Sequence, residues 1–184
     1  MPERMFLAVA LDDETRIAVA ARLDDALEGS RLPGKVTPIE NWHITLRFLG
    51  STSQVQAEQI LAHLDDHLAV DPFRLTFTRL GAFPRERKAS VLWLGCDGDV
   101  ESLGSVAEEC EHAAERAGFE PEGRPFHAHL TLARIRPPMD VRDLVDAVEP
   151  LRVPVTVNEV TLYRSILGGG PARYEVVDSV ALGE

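Results

Sequence analysis

Cysteine is scarce in this chain. Its 184 residues hold two, Cys96 and Cys110, and no C-x-x-C pair, which excludes a disulfide scaffold and leaves no metal or redox motif of that kind. Long apolar runs are missing as well. The N-terminal run, residues 5–11 (MFLAVAL), is followed at once by Asp12, Asp13 and Glu14 rather than by the small residues of a leader cleavage site. No stretch approaches the roughly 18 apolar residues of a membrane-spanning helix. Basic charge is also short: 30 acids face 19 bases, a net charge of −11. Coating a long nucleic acid requires many phosphate contacts, so that class is disfavoured, whereas reading one phosphate at a chain end is not. These absences lead us to expect a reduced, cytoplasmic protein. With 45% apolar and 27% charged residues, it has the means to form an ordinary core.

Strand and helix signals alternate. Residues 5–11 read as a buried strand, and Asp12 or Asp13 caps a helix to about Glu28. A strand over residues 41–49 precedes a helix capped by Ser51 or Ser53 and running to about Ala69. A strand over residues 73–80 follows. The second half repeats the rhythm: a strand over 91–96, a helix from Asp97–Asp99 to Ala117 with Gly118 at its end, a strand over 126–133, and a short helix over 140–148. A strand over 151–162 carries Pro154, which places it at a sheet edge or on a bulge, and a last strand covers 174–182.

One pattern occurs twice. His43-Ile44-Thr45-Leu46 is echoed by His129-Leu130-Thr131-Leu132, 86 residues later, each on an expected strand that follows a helix. Strand side chains alternate between faces, so each His shares a face with its Thr while the aliphatic residues point to the core. One H-x-T carries almost no information. Two in the same phase suggest similar lobes facing each other about a pseudo-two-fold axis, with two imidazoles and two hydroxyls converging. That set suits phosphodiester cleavage: one imidazole takes a proton from water, the other protonates the departing oxygen, and the hydroxyls donate to non-bridging oxygens. No metal, cofactor or covalent nucleophile is required.

Charge is distributed to match. Residues 72–92 hold Arg74, Arg79, Arg85, Arg87 and Lys88 against Glu86 alone, and residues 123–139 hold Arg124, Arg134 and Arg136 with no acid. Arg85, Arg87 and Lys88 fall in a loop that would draw an anion to one place or would simply be solvated. His63 and His67 have zinc-compatible spacing, but Asp65 and Asp66 between them fit a solvated helix face, and no metal is expected there. His112, among Glu109, Glu111 and Glu115, reads as a surface residue. Trp42, Trp93, Phe48, Phe83, Tyr163 and Tyr174 read first as packing residues, with base stacking or cleft lining as the other option. Cys96 and Cys110 read as core.

Around these motifs the chain resembles the 2H phosphoesterase superfamily, in particular its bacterial and archaeal RNA 2',3'-cyclic phosphodiesterase (2'-5' RNA ligase-like) branch. MFLAVALDDETR, NWHITLRFLG, LGAFPRERKASVLWLG, GFEPEGRPFHAHLTLARIRPP and LYRSILGGGPARYEV carry the likeness in order and spacing, over essentially the whole chain. The resemblance implies a bilobal α+β fold over residues 1–184: two pseudo-symmetric antiparallel sheets flanked by helices, with both motifs (43–46 and 129–132) lining a central cleft. It implies hydrolysis of a terminal RNA 2',3'-cyclic phosphate to a 2'-phosphomonoester, His43 being the proton donor and His129 the proton acceptor. Thr45, Thr131 and Arg134 are implied as substrate-binding residues. Plain alternation, however, puts Arg134 in phase with Leu130 and Leu132, so the strand must bulge or Arg134 must reach in from an edge. His127 shares the face of His129 and can at most assist binding. Rival readings are a 2'-5' RNA ligase acting by reversal, a small cyclic-nucleotide phosphodiesterase, and a non-catalytic RNA-end-binding module. Because one chain supplies both motifs, a monomer is expected.

Overall fold

The structure is a computed structural model that describes residues 1–183. Its strands are β1 (Glu3–Ala10), β2 (Lys35–Val36), β3 (His43–Thr52), β4 (Phe73–Phe83), β5 (Ala89–Gly98), β6 (His129–Met139), β7 (Val153–Val157), β8 (Glu159–Ile166) and β9 (Arg173–Ala181). Its helices are α1 (Asp13–Leu27), α2 (Gln54–His67), α3 (Val100–Arg116) and α4 (Arg142–Ala147). The main strands run in the order β7-β4-β5-β6-β3-β1-β8-β9, and β2 pairs with β6. All pairings are antiparallel.

That order is symmetric about its middle. One half is β6, β5, β4 and β7, and the other is β3, β1, β8 and β9. The halves meet where Ile44 of β3 pairs with Leu130 of β6. The two sheets expected from the sequence are therefore the halves of one continuous sheet, joined at the two motif strands. Leu7, Val9, Ile44, Leu46, Leu75, Leu94, Leu130 and Leu162 cover one face and pack against Val19 and Leu23 of α1, Ile60 and Leu64 of α2, and Leu103, Val106 and Cys110 of α3. This core runs unbroken across both halves. It covers one face and leaves the other free to carry the His and Thr side chains.

Local chemistry explains the helix starts. Asp12 accepts from the Thr15 amide, Ser53 forms a reciprocal capping box with Gln56, and Asp99 accepts from the Ser102 amide. Several boundaries differ from the sequence expectation. The strand placed at 126–133 starts at His129, and Phe126 is exposed. The run 151–162 is two strands broken at Asn158, with Pro154 on β7, the outermost strand of its half. Ile17 of α1 and Val55 of α2 are 69% and 62% exposed despite their apolar side chains. His63, expected on a solvated face, instead packs between helices, where its Nε2 meets Glu109 at 2.6 Å. Among the described residues no helix is long and apolar enough to cross a membrane.

Candidate active site

The two motif strands are the central pair of the sheet. Continuing the antiparallel pairing one residue to each side of Ile44 and Leu130 sets His43 across from Thr131, and Thr45 across from His129. Diagonal neighbours on such a pair lie roughly 7–8 Å apart, a gap that suits a phosphate between the two imidazoles. All four side chains are half-buried on the face opposite the core.

Both imidazoles are oriented by the same device. His43 Nδ1 lies 2.7 Å from the Asn41 carbonyl, and His129 Nδ1 lies 2.6 Å from the His127 carbonyl, each two residues upstream. A carbonyl only accepts, so each Nδ1 carries the proton and each Nε2 is left with a lone pair. The His43 Nε2 is met at 2.8 Å by Thr45 Oγ1, whose hydroxyl donates to it. Asn41, itself buried, also donates from Nδ2 to the Ala172 carbonyl at 2.7 Å, so the same residue ties the glycine loop between β8 and β9 to the site.

Each ring rests on its own aromatic bed. His43 packs on Phe6, with centroids 4.9 Å apart, and meets Tyr174 edge-on at 5.4 Å; Phe6 in turn stacks on Tyr163. His129 meets Phe83 edge-on at 4.9 Å, and Trp93 packs against Phe83 at 5.3 Å and His127 at 4.9 Å. Burial holds His43 down to about 4, opposed by the Asn41 carbonyl and reinforced by the charges of His129, Arg16 and Arg134. Burial also lowers His129, opposed by the His127 carbonyl. Both rings are therefore neutral at pH 7 in the free protein.

Arg134 reaches this face through a bulge. Trp93 pairs with Thr131 but Leu92 pairs with Ala133, so Leu132 is the extra residue and the alternation resets after it. Arg134 consequently falls in phase with Thr131, which resolves the parity conflict. The bulge is supported from the side: the Thr37 amide donates to the Leu132 carbonyl at 2.8 Å, and Lys35 pairs with Arg134. Gly34 permits that approach, because a Cβ there would lie 2.4 Å from the Arg134 carbonyl oxygen. β3 carries the same bulge at Leu46, since Thr45 pairs with Ala8 but Arg47 pairs with Leu7. The residue equivalent to Arg134 in that half is Phe48, which is 54% exposed.

The sequence reading missed Arg16, on the second turn of α1. Its charge acts on both His43 and Tyr163, and its Nε is buried without a partner. No spacing rule connects an arginine on a helix to a histidine on another strand. The link is tertiary, through β1, whose Ala10 pairs with His43. Arg164, which flanks the glycine loop, is drawn away by Glu3 and Glu175. His127 is exposed, with its ring 5.9 Å from that of His129.

A half-barrel-like antiparallel sheet with paired H-x-T strands at its centre defines a two-histidine phosphoesterase class of site. Residues 12–169 match the 2'-5' RNA ligase superfamily, and the chain belongs to that family. It is 37% identical over 154 residues to an RNA 2',3'-cyclic phosphodiesterase of Aeropyrum pernix, covering 80% of this chain and 85% of the relative. It is 30% identical over 191 residues to the Escherichia coli protein of that name, covering 98% and 97%. Among solved structures, E. coli LigT complexed with 3'-AMP superposes with a TM-score of 0.82 at 27% identity over all of both chains. TT0787 of Thermus thermophilus superposes at 0.78 and 29% identity, over 98% and 99% of the chains.

Proposed function

We propose that this protein is an RNA 2',3'-cyclic phosphodiesterase that opens a terminal cyclic phosphate to a 2'-phosphomonoester, using two histidines and no metal. The observation that carries the reading is the matched fixing of two Nδ1–H groups by backbone carbonyls, which leaves two Nε2 lone pairs on one face of adjoining strands. The names of the relatives and the family membership support the same substrate class.

Water attacks phosphorus and its proton passes to His129 Nε2. The bond from phosphorus to the 3' oxygen breaks, and that oxygen takes a proton from His43 Nε2. The products are a 2'-phosphomonoester and a free 3' hydroxyl, with the site proton moved from one imidazole to the other. His43 must therefore be charged when substrate is bound, although it is neutral in the free protein. The phosphate anion provides the means, because a negative charge beside a buried imidazole raises its pKa. Protonation also reverses the Thr45 contact. Once Nε2 carries a proton it no longer accepts, and the Thr45 hydroxyl is free to donate to a phosphate oxygen. Thr131 and Arg134, with Arg16, stabilise the remaining charge. One chain holds the whole set, so it acts as a monomer, a single domain built of two similar halves.

The test is product analysis after incubation with a cyclic-phosphate-ended oligonucleotide in chelator. A 2'-phosphate end is expected. A requirement for added zinc or magnesium, or tight binding without turnover, would overturn the reading.

A further inference from the structure

A basic cleft lies beside the site, on the half that carries His129. Thr131, Trp93 and Gly81 form one row across β6, β5 and β4. At about 4.8 Å per strand, Gly81 lies roughly 10 Å from Thr131. The Trp93 indole spreads over Gly81, where a Cβ would meet ring carbons at 2.2 to 2.6 Å. Only glycine lets the ring lie there. Beyond the indole opens a cleft of ≈ 490 Å³ lined by Gly81, Trp93, Arg85, Glu86, Arg87 and Arg142.

The turn that carries these arginines is pinned. The Lys88 amide donates to the Arg85 carbonyl at 3.0 Å, and the Val141 amide donates to the Glu86 carbonyl at 2.8 Å. Arg142 is committed to Asp140, at 2.6 Å, and holds that carboxyl down to about 2. Arg85 and Arg87 form no ion pair among the described residues. On the turn itself Arg85, Arg87 and Lys88 outweigh Glu86 by two charges, in a chain of net −11, while Arg142 is offset by Asp140, Asp143 and Asp146. The reaction described above does not use this cleft.

We propose that the cleft between Trp93 and the 85–88 turn is a second anion subsite, which holds the phosphodiester preceding the cyclic end. The protein then selects polynucleotide ends over cyclic mononucleotides. The inference rests on the catalytic reading above and names the substrate class within it. Two guanidinium groups without an ion pair, on a pinned turn that lines the same cleft as Gly81 and Trp93, suit an internal phosphate. The Trp93 indole, lying over Gly81, forms one wall of that cleft.

The test compares kcat/KM for 2',3'-cyclic AMP and for a short RNA oligonucleotide with a cyclic end. Wild type should favour the oligonucleotide by about tenfold or more. The Arg85→Ala/Arg87→Ala variant should lose that preference and leave the mononucleotide rate within about twofold. The salt slope for the oligonucleotide should fall by about 0.7, as expected when one single-strand phosphate is no longer neutralised. Arg87→Glu should penalise the oligonucleotide further. An unchanged ratio in the double variant, or equal losses on both substrates, would overturn the subsite. Turnover of the mononucleotide with no oligonucleotide preference in wild type would overturn it while leaving the catalytic reading intact. Turnover of neither would remove both.

Discussion

The two halves of the sheet carry the same H-x-T-L pattern, the same bulge after its threonine and the same carbonyl anchor, yet they treat their histidines differently. His43 is enclosed: its Nε2 is already bonded to Thr45, and Phe6, Tyr163 and Tyr174 surround it. His129 is flanked by Phe83, Trp93 and the exposed His127, and the cleft lined by Arg85 and Arg87 opens on its side. Past the bulges one half presents Phe48 and the other Arg134. The backbone geometry is shared, and the side chains around it place the two imidazoles in different surroundings, with His43 the more strongly lowered by burial. In the free protein that difference runs against His43 as the acid, since it is the ring held down to about 4, so its protonated form depends on the bound phosphate.

Removing either member should have the largest effect. His43→Ala and His129→Ala are each expected to lower kcat by two orders of magnitude or more, the usual worth of a general acid or base. The double variant should be little worse than either single one, because the pair acts as a unit. A variant retaining a tenth of the wild-type rate would break the symmetry of need between the halves.

A smaller effect distinguishes the halves by stability. His43 is held well below its ordinary value of 6.5, at about 4. As pH falls the unfolded chain takes up this proton first, so the contribution is present above 6.5 and is lost between 6.5 and 4. The loss is on the order of 3 kcal/mol. His43→Asn should flatten the decline in denaturant midpoint over that window more than His129→Asn does. Equal flattening would mean that both rings are equally enclosed. The same burial sets the rate profile: kcat/KM should peak below pH 6.5, and kcat, which reports the phosphate-bound state, should peak at higher pH.

Much of this was legible in advance where the physics is local. The H-x-T phase, the buried strand over residues 5–11 and the places where the helices start follow from short-range rules, the structure choosing Asp12, Ser53 and Asp99 among the two or three adjacent candidates for each cap. What escaped is long-range. For Arg134 the sequence left a bulge and an edge approach as alternatives, and only the pairing of Leu92 to Ala133 decides for the bulge. Arg16 comes from a helix whose distance from His43 is set by the β1–β3 pairing. His63 looked solvated beside two aspartates, because nothing near it in sequence announces that Glu109 will arrive from α3. The break at Asn158 was hidden by a β-rich run on either side.

Gly81→Ala sharpens the comparison on the His129 side. A methyl group there would overlap the Trp93 ring, and overpacking of this kind costs about 1–3 kcal/mol. The thermal midpoint should fall, and because the indole packs on Phe83 and His127, kcat should fall with it. Gly95→Ala is the milder control, since its added carbon would lie 3.0 Å from the same ring. Equal effects would mean that Trp93 relaxes freely and does not brace the His129 bed.

The smallest expected effect lies in the threonines. Each hydroxyl given to a phosphate oxygen is worth about 1 kcal/mol, or roughly fivefold in rate. Thr131→Val should lose about that much. Thr45→Val should lose less, because in the free protein its hydroxyl is bonded to His43 Nε2 at 2.8 Å and must give up that contact before it can serve the phosphate. Its kcat profile should shift relative to wild type, while that of Thr131→Val should keep its shape. Identical losses and superimposable profiles would show that the Thr45–His43 contact has no part in the reaction, and that the two halves differ in the free protein but act alike once the phosphate is bound.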